Sequence, residues 1–372
     1  MKKSLNLENI QSAMDKMGLN QATLARELDI SRESVSKWFK SDSLPKPDKL
    51  LRLGIILGLP FDKLVIKVDP NAPVVAFRKM GNRKTTAEHL QKAADMGRLL
   101  REVVPYLPFD QLAQPSILKS PILDYAYLQS VAKKIRKEVH VTESGVIDFI
   151  HLVRYFNEMQ AVLIPVLWGA KDRHENATHI YLPDSMTTWV YLNLDVNVHD
   201  FKFWMAHELG HVLASQLRGE EAEDYADAFA GALLFPEQLA SDLYSKIKGK
   251  AVSRQINMLK TWADKLVISP YTIYRQLNSY ASANKLPELK LGNIGGAVTN
   301  FNKQYPNVSE VLFSNEEINP RTYISLVTDQ FESPFFKALG KYLRESGKSA
   351  SFIKTILDIN LLDAKGIYAE LT

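Results

Sequence analysis

Cysteine is absent from this chain of 372 residues. That absence excludes a disulfide framework and any thiolate metal site. Histidine, glutamate and aspartate must therefore supply any metal ligands. Long apolar stretches are missing too. No run of about eighteen apolar residues occurs, and the N-terminus lacks the apolar core of a signal segment. The expectation is no membrane span and a cytoplasmic protein. Internal repeats and low-complexity tracts are also lacking. What remains is ordinary for a soluble globular chain, with 46% hydrophobic and 24% charged residues. The length suggests two or three domains.

Net charge is only +4, but it is unevenly placed. Residues 1–137 hold 24 Lys and Arg against 14 Asp and Glu, leaving −6 for the rest of the chain. A basic N-terminal part beside an acidic remainder favours phosphate contact at the N-terminal end.

The most informative stretch is Met205-Ala-His-Glu-Leu-Gly-His-Val-Leu213. On a helix, residues four apart stack one turn above each other, so His207 and His211 point the same way and can share one metal ion. Glu208 faces the same cleft, one step round. Two imidazoles and a third protein ligand leave a position open for water on Zn²⁺. The metal acidifies that water and a nearby carboxylate can take its proton, which is the apparatus for peptide hydrolysis. Phe203, Trp204, Leu209, Val212 and Leu213 surround the histidines and predict a buried helix. Asn197 is its expected N-cap, and no proline falls between 197 and 218.

A second helix is expected at about 220–235, with Ala226, Phe229, Ala230 and Leu233 on a tightly packed inner face. Glu223 shares that face. A buried carboxylate is costly unless paired or bound to a metal, so Glu223 is assigned as the third ligand. Glu220, one turn away, is the reserve choice. Glu221 and Asp224 are expected to face solvent. His₂Glu ligation suits Zn²⁺, with Mn²⁺ as the alternative.

Before this pair, helices are expected over about 122–138 and 143–159. Alternation predicts three strands at Ala161–Val166, His179–Leu182 and Trp189–Leu194. A strand edge beside the cleft would let an extended peptide add as another strand. His140, His151, His174, His179 and His199 lack ligand-like partners and are read as structural or exposed. His199 and Tyr225 are noted as oxyanion candidates without assignment. Further helices are expected at about 236–247, 251–265 and 270–281. Residues 284–372 read as a Gly-rich turn at Gly292, Gly295 and Gly296, then helices near 319–328, 333–346 and 350–358.

Residues 1–66 read as five short helices. Gly18 ends the first, and Asn20 caps Gln21–Leu28. A tight turn at Asp29-Ile30 leads to Ser31, which caps Arg32–Phe39. Pro45 and Pro47 precede the fourth helix, and Pro60 opens the fifth. Leu24, Ala25, Leu28, Ile30, Val35 and Trp38 are the expected core. The segment N-Q-A-T-L-A-R-E-L-D-I-S-R-E-S-V-S-K-W resembles the XRE-type helix-turn-helix of Cro-like and phage-repressor proteins. In such a motif the second helix lies in the major groove of double-stranded DNA and its N-terminal residues meet base edges. Arg32, Glu33 and Lys37 are the candidates. Arg can fork onto guanine and Glu can accept from cytosine. Asn20 and Gln21 begin the preceding helix, where phosphates are gripped, and Lys40 is a further phosphate candidate. The sequence departs from the family's pattern at Ser41, where glycine is frequent. The competing reading is a module for dimerisation or for holding a protein partner, and homodimerisation is left open.

F-x-x-A-H-E-L-G-H-x-L, then E-x-x-A-D-x-F-A-x-x-L-L-x-P, resembles the ImmA/IrrE family of bacterial and phage metallopeptidases. The likeness covers roughly 120–282, although Lys202-Phe-Trp-Met205 departs from the family's usual text. It implies His207, His211 and Glu223 as metal ligands and Glu208 as base. It also implies cleavage of a helix-turn-helix repressor, inducing genes under stress or in a mobile element. The competing function is a DNA-binding regulator or antitoxin-like protein that uses the metallopeptidase fold as sensor or scaffold. The expected fold is α+β and mostly helical. Residues 1–67 form the helix-turn-helix domain and 68–121 a linker with a basic helix. Residues 122–283 form a zincin-like metallopeptidase domain with a small three-stranded sheet, and 284–372 a helical accessory domain.

Overall fold

A computed structural model describes residues 2–39, 43–68, 71–76, 87–109, 117–169, 177–292, 294–314 and 317–372. The chain divides into two compact units, Met1–Ala72 and Pro73–Thr372. The architecture is α+β and mostly helical, with two small sheets among the described residues.

The first unit holds β1 (Lys2–Leu5), α1 (Leu7–Lys16), α2 (Gln21–Glu27), α3 (Arg32–Phe39), α4 (Pro47–Leu57), α5 (Phe61–Leu64) and β2 (Val65–Val68). Its core includes Ile10, Met14, Leu24, Ala25, Leu28, Val35, Trp38, Leu50, Leu53 and Leu57, while Ile30 is half-buried. Gly18 takes a left-handed φ of +62° and stops α1. Asn20 accepts from the backbone N–H of Ala22 and Thr23, completing a capping box at the start of α2. Asp29 supplies the left-handed residue of the turn into α3, a conformation that aspartate tolerates. The five expected helices are joined by two strands that were not expected. β1 and β2 pair antiparallel, and Leu5 and Val65 seal the bottom of the core.

The second unit opens with β3 (Val74–Ala76) and α6 (Ala87–Val103). Then come α7 (Tyr125–Glu138), α8 (Phe149–Glu158), β4 (Ala161–Val166), β5 (Ala177–Leu182) and β6 (Thr187–Asn193). Next are α9 (Val198–Leu213), α10 (Gly219–Leu234), α11 (Glu237–Ile247), α12 (Val252–Leu266) and α13 (Pro270–Ala283). The chain closes with α14 (Ile294–Asn302), α15 (Val308–Leu312), α16 (Pro320–Phe331), α17 (Phe335–Ser346), α18 (Ala350–Leu357) and α19 (Leu361–Leu371). Among the described residues, no helix is long and apolar enough to cross a membrane.

The sheet has four strands, in the order β3-β5-β6-β4, rather than the expected three. β4 runs parallel to β6, and β5 pairs antiparallel with both β6 and β3. β3 comes from the segment expected to be linker. It covers His179, Ile180 and Tyr181, so the edge expected to be free along that part of β5 is occupied. Gly97 of α6 sits where a Cβ would meet the Pro73 ring at 2.6 Å, which fits this helix and strand together. Every residue of β4 and β6 is buried, as happens when both faces of a sheet are covered.

Residues 284–372 do not form a core of their own. One continuous apolar cluster runs from Ala93 to Leu371. The Tyr323 hydroxyl donates to the Pro165 carbonyl, Ser333 to Leu163, and Tyr191 to Ile356. Trp168 Nε1 donates to Leu357 at 2.8 Å. Amphipathic helices with aromatic stripes need an apolar partner, and here that partner is the sheet. Three further helices appear among the described residues that were not expected, one of them the short α15 (Val308–Leu312). α14 runs through Gly295 and Gly296, and α19 ends the chain.

Lys202 is fully buried on α9. Its Nζ donates to the carbonyls of Ile147 at 2.8 Å and Leu266 at 2.5 Å, binding α9 to two neighbouring segments. Burial pushes its pKa down to about 8. Between pH 8 and the unfolded value near 10.5, the unfolded chain keeps a proton that the folded chain has released. Stability relative to Lys202→Met should therefore rise through that window, by about 3 kcal/mol at most. Urea unfolding of both proteins at pH 7, 9 and 10.5 measures the difference. A flat difference would show that the ammonium is not desolvated.

Candidate metal centre and nucleic-acid interface

The candidate metal centre lies where α9 meets α10. Asn197 accepts from His199 N–H and starts α9 as expected. A Cβ on Gly210 would lie 2.9 Å from the Ala226 Cα. The two helices therefore approach at a glycine and an alanine. That close approach brings Glu223, one turn before Ala226, against the histidines.

His207 Nε2 and His211 Nε2 lie 3.0 Å apart. Glu223 Oε2 lies 3.4 Å from His207 Nε2, and its other oxygen, Oε1, lies 3.4 Å from His211 Nε2. Ligand atoms held tetrahedrally at ~2.0–2.1 Å from one Zn²⁺ lie about 3.3–3.4 Å apart. The contacts of 3.0–3.4 Å are of that order, one ligand atom from each of the three residues lies within 4.8 Å of the others, and the donor set fits a divalent metal. Glu208 is buried, and its charge favours the protonated form of His207. Glu220, the reserve ligand, is exposed and outside this cluster, as are Glu221 and Asp224.

Asp227 is the residue that sequence reasoning passed over. Its Oδ1 lies 3.0 Å from His207 Nδ1, and its Oδ2 lies 3.3 Å from a guanidinium nitrogen of Arg275 on α13. The carboxylate accepts a hydrogen bond from Nδ1–H, which assigns the tautomer of the neutral ring and leaves its Nε2 lone pair facing Glu223 and His211. The available signal was its position four residues after Glu223, on the same face of α10.

The electrostatics agree. Burial alone would lower the pKa of His207, but Asp227 and Glu223 outweigh it and hold it at about 9. Burial lowers that of His211, with Glu223 opposing. For Glu223, burial raises the pKa, and the two histidines more than reverse that.

The other histidines take structural places. His179 of β5 is buried and its ring stacks on His211 at 5.9 Å. His199 packs on Tyr305 at 4.1 Å and on Phe301 at 4.9 Å. It lies two helical turns, about 12 Å, before His207. His151 accepts from Asp148 N–H at the start of α8. His140 takes a left-handed φ just past α7. Tyr225 is buried and stacks on Phe229, and burial raises its pKa. His174 lies outside the described residues.

In the first unit, Arg32, Glu33 and Lys37 are exposed along one side of α3. Ser31 Oγ accepts from Ser34 N–H and caps that helix. Asn20 is exposed and Gln21 half-buried at the start of α2. Lys40 and Ser41 lie outside the described residues.

Substituting His207, His211 or Glu223 by Ala should abolish tight metal binding, whereas Glu220→Ala should leave it intact. Asp227→Asn should cost 10- to 100-fold in affinity, the usual effect of losing an outer carboxylate. Gly210→Ala should weaken binding without touching a ligand, because the new Cβ pushes α10 away. Affinity should fall as pH drops from 8 to 6, since the imidazoles must lose protons to bind. Calorimetric Zn²⁺ titration of the purified variants checks each outcome.

Residues 10–64 match the helix-turn-helix family, and residues 160–277 match the IrrE N-terminal-like domain, a peptidase family. Neither the curated proteins nor the solved structures contain a match to the chain. One polypeptide thus carries an XRE-type helix-turn-helix and a metallopeptidase-family domain of the IrrE N-terminal-like type.

Proposed function

We propose that the chain is a metal-dependent, site-specific endopeptidase with a DNA-binding domain, and that it cleaves a helix-turn-helix repressor. The observation that carries this is the cluster of His207, His211 and Glu223, with contacts of 3.0–3.4 Å between their ligand atoms, beside the buried carboxylate of Glu208. A purely structural site closes its coordination and needs no base. Zn²⁺ or Mn²⁺ bound there would supply a Lewis acid for the scissile carbonyl and acidify a water near neutral pH. Glu208 takes a proton from the attacking water and returns it to the leaving amine. Asp227 keeps His207 in the tautomer that can bind, and Arg275, 3.3 Å from its second oxygen, helps to aim it. The repressor is the proposed substrate because reader and peptidase share one chain.

Glu208→Gln should bind Zn²⁺ as the wild type does and lose cleavage of candidate repressors, with chelator abolishing wild-type cleavage. Retained cleavage would remove Glu208 from the mechanism. An unchanged transcriptional response in cells carrying Glu208→Gln would favour the scaffold reading instead.

On the DNA side, Arg32 and Lys37 project from α3 as base readers, Glu33 accepts from cytosine, and Asn20 and Gln21 flank the phosphate. Lys40 is kept as a phosphate contact. Binding of the full chain to duplex DNA should weaken steeply with salt. Arg32→Ala or Lys37→Ala should each cost about 1–3 kcal/mol and relax sequence preference. Gln21→Ala should weaken all sequences alike. Fluorescence anisotropy across a salt series reads these effects, and salt-independent binding would defeat the DNA reading.

A further inference from the structure

The short strand β3 passes over the line where the two ligand helices meet. Helix α9 packs against β5 and β6, and α10 packs against β3. His207 and His211 come from α9, and Glu223 comes from α10. The ligands therefore lie below the junction of β5 and β3. His179 of β5 marks the place, since its ring stacks on His211 at 5.9 Å. Ala76 is the residue opposite His179 in the antiparallel ladder. Opposed residues share one face of a sheet, with Cα atoms ~4.5–5.5 Å apart. Ala76 thus stands one strand over from His179, on the metal side and toward α10. Val75 and Pro73 face the other way. Val75 opposes Ile180, and both Ile180 and the Pro73 ring lie against Gly97 of α6.

We infer that β3 is a built-in stand-in for the substrate strand, holding the edge of β5 that an extended peptide needs and leaving it before cleavage. The inference rests on the peptidase reading above. An extended peptide is commonly held by adding as a strand to a sheet edge. The edge nearest the ligands is that of β5, and the chain's own segment already pairs with it, antiparallel. A peptide cannot use those backbone groups while β3 does.

The hold is weak by construction. β5 and β6 pair along their whole length, whereas β3 reaches β5 only through Val74, Val75 and Ala76. All three are half-buried, while every residue of β6 is buried. Short, half-exposed pairings open at the low end of a protein's stability range. Among the described residues, β3 covers His179, Ile180 and Tyr181 of an edge that runs Ala177–Leu182. An extended segment that pairs along the whole edge gains rungs that β3 lacks, and so displaces it. A folded segment offers no free strand and leaves β3 in place. The partner this edge selects is therefore an extended stretch about as long as β5.

Two variants of the full chain test this. Val75→Asp places a carboxylate against the apolar side of β3 and expels the strand. It touches no ligand, so calorimetric Zn²⁺ affinity should match wild type. Val75→Cys with Ile180→Cys locks the strand instead. Opposed Cα atoms at ~4.5–5.5 Å suit a disulfide. The chain has no other cysteine. Both thiols face α6, away from the metal. The first readout is fluorescence anisotropy with a labelled peptide of sequence Asn-Ala-Pro-Val-Val-Ala, that of residues 71–76. Val75→Asp should bind it roughly tenfold or more tighter than wild type, because the competing strand is gone. The oxidised double-cysteine chain should not bind it. The second readout is cleavage of a quenched fluorogenic peptide library by the Zn²⁺-loaded proteins. Val75→Asp should cleave faster than wild type. The oxidised chain should be inactive and should recover when a phosphine reduces the disulfide. Equal cleavage by the oxidised and reduced chains would overturn the inference and leave the peptidase reading standing, with β3 as the edge to which substrate adds. Equal binding of the labelled strand by wild type and Val75→Asp would also overturn it. Selective binding of that strand by Val75→Asp without cleavage by any form would keep β3 as the occupant of the edge and overturn the peptidase reading.

Discussion

The approach of α9 and α10 at Gly210 and Ala226 is the constraint on which the site depends. Two imidazoles and a carboxylate are placed inside an apolar core, where an isolated charge is costly. They persist only by serving one another. With 2.9 Å between a notional Gly210 Cβ and the Ala226 Cα, any side chain at 210 would separate them. Glycine inside a helix weakens it by about 1 kcal/mol relative to alanine. That cost is accepted where backbone must approach backbone.

The rest of the second unit holds α9 still. Its first turn is fixed through Asn197 to Asn302 and Tyr305, and Val198 N–H donates to the Pro306 carbonyl. Its middle is tied by Lys202 to Ile147 and Leu266. Its last residue, Leu213, accepts from Leu118 N–H. A ligand pair needs its rings positioned to within about half an ångström, and a helix fixed along its length provides that. The sheet lies on the same helix through β5, where His179 stacks on His211. The helices after 284 cover the sheet. Removing them would expose apolar residues of the shared core and free the start of the metal helix together.

How much of this was legible follows from the range of each interaction. His207 and His211 could be read because four residues is one helical turn. Glu223 could be read because an acidic residue on a small-residue face must be paired. Asp227 shares that face. Its partner, though, is Nδ1 of a ring on another helix, and only the crossing of α9 and α10 reveals it. β3 has three residues, too few for a period of two to show. α14 was read as a turn because Gly295 and Gly296 argue against a helix. Burial of Ile294 and Phe301 overrides that local preference. The aromatic spacing of 319–358 correctly predicted buried faces. It could not tell a private core from a shared one, since the pattern on a helix is the same in both cases.

Charge accounting explains why such a centre suits a divalent cation. Glu208, Glu223 and Asp227 bring three carboxylates to a small buried volume, and Arg275 brings one guanidinium. Two negative charges remain. In the metal-free protein a proton on His207 offsets one of them, which is why its pKa is held at about 9 despite burial. The proton compensates half of what the site requires. A divalent ion compensates all of it, and it does so among the three ligands rather than on one ring. The same three carboxylates that make the site costly when empty of positive charge therefore favour a doubly charged occupant, and Asp227 adds its charge to that preference from behind the ring of His207.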